Sequence, residues 1–134
     1  MQVIRIGWLG TRTAQFDETA RFFGDVMGLA RIHSEPNFAM FGLPSGSRDY
    51  VEVFGSAKGD AGFEAEHYTT GPVPGFLVQD LDEARAELAA AGIELLGDIT
   101  WARSRPGYGW FHFRGPDGSV YAMLQGSPEI DPTG

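Results

Sequence analysis

The sequence predicts an α+β fold made of two successive β-α-β-β-β modules. Three observations carry this. Two amphipathic helical segments, "FDETARFFGDVMGL" and "LDEARAELAAAGIEL", can be laid on each other: Phe16-Asp17-Glu18 matches Leu81-Asp82-Glu83, and the stop glycines Gly28 and Gly92 coincide after a one-residue deletion. Each helix is preceded by one strand-like run and followed by three more. Between the two sets lies a stretch rich in Gly, Ala and acidic residues with little periodicity, which reads as a connector.

The elements follow in order. Val3 to Thr13 reads as a strand, after which Phe16, Ala20, Phe23 and Met27 stand at helical spacing and Gly28 stops the helix. Ala30 to His33, Phe38 to Leu43 and Tyr50 to Phe54 are short β-like runs, separated by the turn-forming clusters Ser34-Glu35-Pro36-Asn37 and Pro44-Ser45-Gly46-Ser47. A second opening strand ends at Val78. Asp80 then offers a helix N-cap, with Glu83 three residues on, and Gly92 ends the helix. Ile93 to Leu96, extendable to Trp101, then Trp110 to Arg114 and Val120 to Leu124 complete the second set, with Pro116-Asp117-Gly118 as the last hairpin turn. The organisation is one domain over 1–134: a module at 1–56, a connector at 57–70, a module at 71–126 and a short tail at 127–134.

Composition narrows the chemistry. With 134 residues, 43% hydrophobic and 21% charged, the chain has ordinary globular proportions. It has no cysteine, so disulfides, thiolate catalysis and zinc–thiolate sites are excluded. A net charge of −8 repels phosphate backbones and anionic lipid, which argues against nucleic acid and membrane as partners and leaves room for a cationic ligand. No run approaches the roughly 18 apolar residues of a membrane span. With no basic, apolar leader at Met1 to Arg5, a cytoplasmic location is expected. No phosphate-binding or dinucleotide glycine pattern is present.

The segments "FDETARFFGDVMGL", "YVEVFG", "FLVQDLDEARAELAAAGIEL" and "FHFRGPDGSVYAMLQG" together resemble, in order and over nearly the whole chain, the vicinal oxygen chelate superfamily. That group includes glyoxalase I, bleomycin-resistance proteins, fosfomycin-resistance enzymes and extradiol dioxygenases. The resemblance implies a curved, open mixed sheet around a cavity, helices on the outside, and a homodimer. It implies no single reaction, because binders and several enzyme classes share the fold. Metal-dependent members take one ligand from each opening and each closing strand. Mapped from the helix motifs, those positions fall on Trp8, Glu52, Val73 and Ala122, of which only Glu52 can bind a cation. One carboxylate does not make a divalent-ion site, so no metal and no cofactor are expected.

Strand alternation supplies the candidate ligand contacts. If Val51 and Val53 face the helix, then Tyr50, Glu52 and Phe54 face the cavity. A buried carboxylate must be paired or protonated, so Glu52 is either balanced by a neighbour such as Arg114 or offered to a ligand. Trp8 exchanges a metal ligand for a flat apolar surface with one N–H donor. Trp101 and Trp110 flank the loop "ARSRPGYG", a candidate rim, and His112 shares a strand face with Trp110. His33 and His67 read as solvated loop histidines. The expected ligand-binding set is therefore Trp8, Tyr50, Glu52, Trp101, Trp110 and His112. The expected function is metal-independent sequestration of a small planar or cationic molecule, as in antibiotic resistance. The alternative is a lyase, isomerase or dioxygenase-type enzyme using Glu52 and His112 as its acid–base pair, with or without an atypical metal site.

Overall fold

The computed structural model describes residues 1–43, 49–55, 71–103 and 105–127. The connector read at 57–70, with His67, the turn at Pro44 to Ser47 and the tail beyond Ser127 lie outside the described residues. Eight strands and two α-helices, with a π-helical turn, make a mixed α+β fold in the order β-α-β-β-β, β-α-β-β-β. The chain divides into two units, Gly7–Pro74 and Met1–Ile6 with Gly75–Gly134.

In the first unit, β1 (Val3–Thr13) runs parallel to β4 (Tyr50–Gly55) from Trp8 on, its first residues belonging to the other unit, while β2 (Ala30–Glu35), β3 (Phe38–Gly42) and β4 form an antiparallel meander. The strand order is β2-β3-β4-β1. Helix α1 (Phe16–Arg21) continues into a π-helical turn (Phe22–Val26), and together they cover one sheet face. Ala20 packs there on Ala39, Phe41, Val51 and Val53, with Phe16, Phe23 and Leu29 around them. Val51 and Val53 thus face the helix, as alternation predicts.

Met27 departs from its expected place. It is 53% exposed, because the π turn adds one residue and rotates the following backbone off the helical stripe, so Leu29 joins the core in its stead. The Met27 N–H reaches the Phe22 carbonyl at 2.9 Å, which is the longer π-type step. This extra residue is the one by which the two helical segments differ in sequence. Both helices then end alike, on glycines with positive φ, Gly28 at 75° and Gly92 at 79°. The Leu29 N–H bonds back to the Phe23 carbonyl, and the Ile93 N–H, one residue less far, to Leu88, each at 3.0 Å.

The second unit repeats this order. β5 (Gly71–Val78) pairs parallel with β8 (Val120–Gln125), and β6 (Glu94–Trp101), β7 (Gly109–Arg114) and β8 form the meander, in the order β6-β7-β8-β5. Helix α2 (Leu81–Ala90) is capped by Asp80, whose carboxylate accepts the Glu83 N–H at 3.0 Å, and the Leu81 N–H is taken by Gln125 Oε1 at 3.0 Å. Its buried face, Leu81 and Ala84, packs on Val78, Phe111, Phe113 and Met123. Burying a side chain such as Leu81 or Phe111 contributes about 1.5–3 kcal/mol. The β7–β8 turn is as predicted: Gly118 has φ 88°, and the Asp117 carboxylate accepts the Ser119 N–H at 3.0 Å. Bonds from the Ser119 backbone N–H and then its hydroxyl hold the Asp117 carboxyl below its ordinary value of 3.8.

Candidate functional site

Register fixes which side chains share a face. In the first unit Trp8 pairs with Tyr50, Gly10 with Glu52 and Arg12 with Phe54, and across β4 Glu52 pairs with Met40 and Phe54 with Phe38. Paired residues on neighbouring strands point to the same side. Trp8, Arg12, Tyr50, Glu52, Phe54, Met40 and Phe38 therefore line the face turned away from α1. Three of the six expected residues, Trp8, Tyr50 and Glu52, come together here.

All three are buried, Trp8 to 5% and Glu52 to 6% residual exposure. The Trp8 ring lies along Gly10: a Cβ on that glycine would stand 3.2 Å from indole Cζ3. Gly10 thus lets the benzo edge lie close to the strand at the residue opposite Glu52, and the N–H edge is on the other side of the ring. The Trp8 Nε1–H, although buried, has no hydrogen-bond partner among the described residues. Leaving such a donor unsatisfied costs about 1–3 kcal/mol.

Arg12 is the residue that sequence reasoning missed. It is buried beside these groups, with Nη1 donating to the Gly55 carbonyl at 3.2 Å and the guanidinium 5.5 Å from the Phe54 ring centroid. The alternation Trp8-Gly10-Arg12 would have placed it on this face. Arg114, offered by the sequence as a partner for Glu52, is engaged elsewhere: its Nε donates to Glu94 at 3.0 Å and its Nη1 to the Gly118 carbonyl at 3.0 Å. Those partners are next to it on the β6–β7 ladder and in the hairpin turn.

In the second unit Trp110 and His112 share the face turned away from α2, with His112 paired to Ala122 and Leu96, and Trp110 to Leu124 and Thr100. His112 is buried, and Tyr108 lies 5.3 Å from Trp110 between ring centroids. Trp101 is not with them. It is 45% exposed and pairs with Gly109, on the same side as Phe111 and Phe113, and its ring fills the space over that glycine, where a Cβ would come within 2.5 Å of it. A register shift between Leu96 and Thr100, at Gly97 with φ 78°, precedes it in β6. His33, expected at the end of a β-like run near a turn edge, lies in β2, which runs on to Glu35, and its exposed ring meets Glu35 at 2.9 Å. Among the described residues no three His, Asp or Glu side chains converge as a cation site.

Two repeated β-α-β-β-β units with parallel opening and closing strands define the fold of the vicinal oxygen chelate superfamily. Solved structures agree. The chain is similar to methylmalonyl-CoA epimerase from Mycobacterium tuberculosis, at 18% identity and TM-score 0.70 over 94% of this chain and 90% of that one. It is similar to the Mn(II)-bound glyoxalase from Novosphingobium aromaticivorans, at 20% identity and TM-score 0.68, over 98% of this chain but 43% of the other. A glyoxalase/bleomycin resistance protein/dioxygenase superfamily member from Vibrio splendidus aligns at 16% identity and TM-score 0.65 over 93% of this chain and all of its own. No family model and no curated protein matches the sequence. Likeness at these identities establishes the fold and leaves the chemistry to the residues.

Proposed function

We propose that this chain binds and sequesters a planar small molecule without a metal ion, through the Trp8–Tyr50–Glu52 face, as a cytoplasmic homodimer. The observation that carries the reading is Trp8: an indole at the position mapped to a metal ligand, beside a tyrosine and a carboxylate, with its N–H unbonded. Aromatic walls with a few polar groups are what planar ligands need. Arg12 shares the face with Glu52, so their formal charges offset and planarity, rather than positive charge, becomes the selecting property. Trp110 and His112, the other expected contacts, share a face of the second unit and are not part of this proposed site. Trp101 is left out, since it pairs on the α2 side of its ladder.

Fluorescence tests this. In a Trp101→Phe background, which removes the exposed indole, planar aromatic antibiotics and dyes are titrated while tryptophan emission is followed. Saturable quenching that weakens about tenfold or more in Trp8→Phe is expected, a loss of about 1.4 kcal/mol. A flat response across the panel, or unchanged affinity in a folded Trp8→Phe protein, contradicts the reading.

A further inference from the structure

We infer that Trp8 Nε1 is a recognition donor, and that the molecule bound at this face carries a hydrogen-bond acceptor, a carbonyl or ring oxygen, in or on its planar ring. The inference deepens the proposed function and rests on it.

The Trp8 side chain has one polar atom, Nε1. Buried N–H groups in folded proteins nearly always find an acceptor, and those that do not call for an explanation. Among the described residues Trp8 Nε1 is such a group, itself covered and in a side chain only 5% exposed, so a ligand acceptor meets it by displacing what covers it. Its orientation is set by Gly10, which admits the Cζ3–Cε3 edge of the ring at a distance that a larger residue would crowd, and so leaves the N–H edge turned away from that strand position. A phenylalanine would supply a smaller flat surface and no donor. Beyond its larger area, the indole adds to this face a directed N–H, and the matching ligand group is an acceptor. An acceptor-free hydrocarbon leaves the donor as unsatisfied after binding as before, so the face discriminates between the two by the hydrogen bond alone.

The probes are chromone, a planar bicycle with a carbonyl and no donor, and naphthalene, a planar bicycle of similar size with no acceptor. Both are titrated into ¹⁵N-labelled protein, and the indole N–H resonance of Trp8 is assigned by its loss in Trp8→Phe. Chromone is expected to bind at least about tenfold more tightly than naphthalene, against its lower hydrophobicity, and to move the Trp8 Nε1–H resonance downfield. Trp8→Phe is expected to remove that preference. Equal binding of both with an unmoved Trp8 resonance, or a preference that survives Trp8→Phe, overturns the inference and leaves the planar-ligand reading standing. Saturable binding of neither overturns both. Should Trp8→Phe not fold, the Trp8 resonance is assigned instead by elimination from Trp101→Phe and Trp110→Phe, and the shift is read on the unaltered protein.

Discussion

Gly10 is where the backbone meets the Trp8 ring of the proposed site. A methyl group there would stand 3.2 Å from Trp8 Cζ3, closer than ordinary contact, so the ring has to yield by a few tenths of an ångström. An alanine also removes unfolded-state entropy, a gain of about 0.4–1 kcal/mol that opposes the crowding. Gly10→Ala is accordingly expected to leave thermal stability within about 1 kcal/mol of the parent while weakening chromone binding severalfold, as read by parallel melting and titration. A variant that binds chromone as tightly as the parent would show that the indole is not held by this contact. Residues of this kind were unequally legible. Tyr50 and Glu52 could be placed on one face because strand alternation is strict, Trp8 only through the mapped ligand position, and the register puts the three on one side. Arg12 obeys the same alternation, but strand arginines ordinarily face water, and its burial depends on the Gly55 carbonyl and the Phe54 ring, contacts made 43 residues away in the chain. Trp101 alternates in step with Leu95 and Ile99, which pack on the α2 side, and the shift between Leu96 and Thr100 keeps that parity, so alternation by itself places it away from Trp110.

Helices and turns carry the clearest local signals, and their predictions belong here. The Asp80 carboxylate caps α2 through the Glu83 N–H, so Asp80→Ala is expected to cost about 1 kcal/mol in denaturant unfolding, with Asp80→Asn closer to the parent. In the β7–β8 turn, the Asp117 carboxyl is held below its ordinary 3.8 by the Ser119 backbone N–H and then its hydroxyl. A group lowered on folding stabilises at pH above its unfolded value and loses that contribution as pH falls through its folded one. An NMR titration should therefore find the Asp117 midpoint below 3.8, and Ser119→Ala should raise it while the backbone bond keeps part of the shift. A midpoint at the ordinary value would mean that the turn bonds do not persist in solution. The cap, this turn and both helix-stop glycines could be read from residue type because each depends on a single local bond or φ angle. The π turn could not. The one-residue offset between the helical segments was visible, but a longer loop would absorb it equally well in sequence terms, and the packing of Phe23 and Leu29 on Phe41 decides for the helix.

At the scale of the molecule, the same strand order occurs in both units, β2-β3-β4-β1 and β6-β7-β8-β5, as a duplicated β-α-β-β-β sequence requires. The fold was legible because each module buries only one sheet face with its helix, and the periodicities that encode this recur twice. The chemistry was less so, since structures with this fold include an epimerase and a Mn(II)-bound glyoxalase at 18% and 20% identity. The metal-ligand positions of the superfamily that the sequence resembles are expected at Trp8, Glu52, Val73 and Ala122, of which one is a carboxylate. The central claim is that binding needs no metal. The most direct measurement is calorimetric titration of chromone into protein dialysed against EDTA, repeated after adding Mn²⁺, Zn²⁺, Ni²⁺ or Fe²⁺, with the metal content determined in each sample. The account predicts saturable binding to the metal-free protein with an affinity that none of the ions changes. Binding, or turnover of a substrate, that appears only with a stoichiometric bound ion would contradict it.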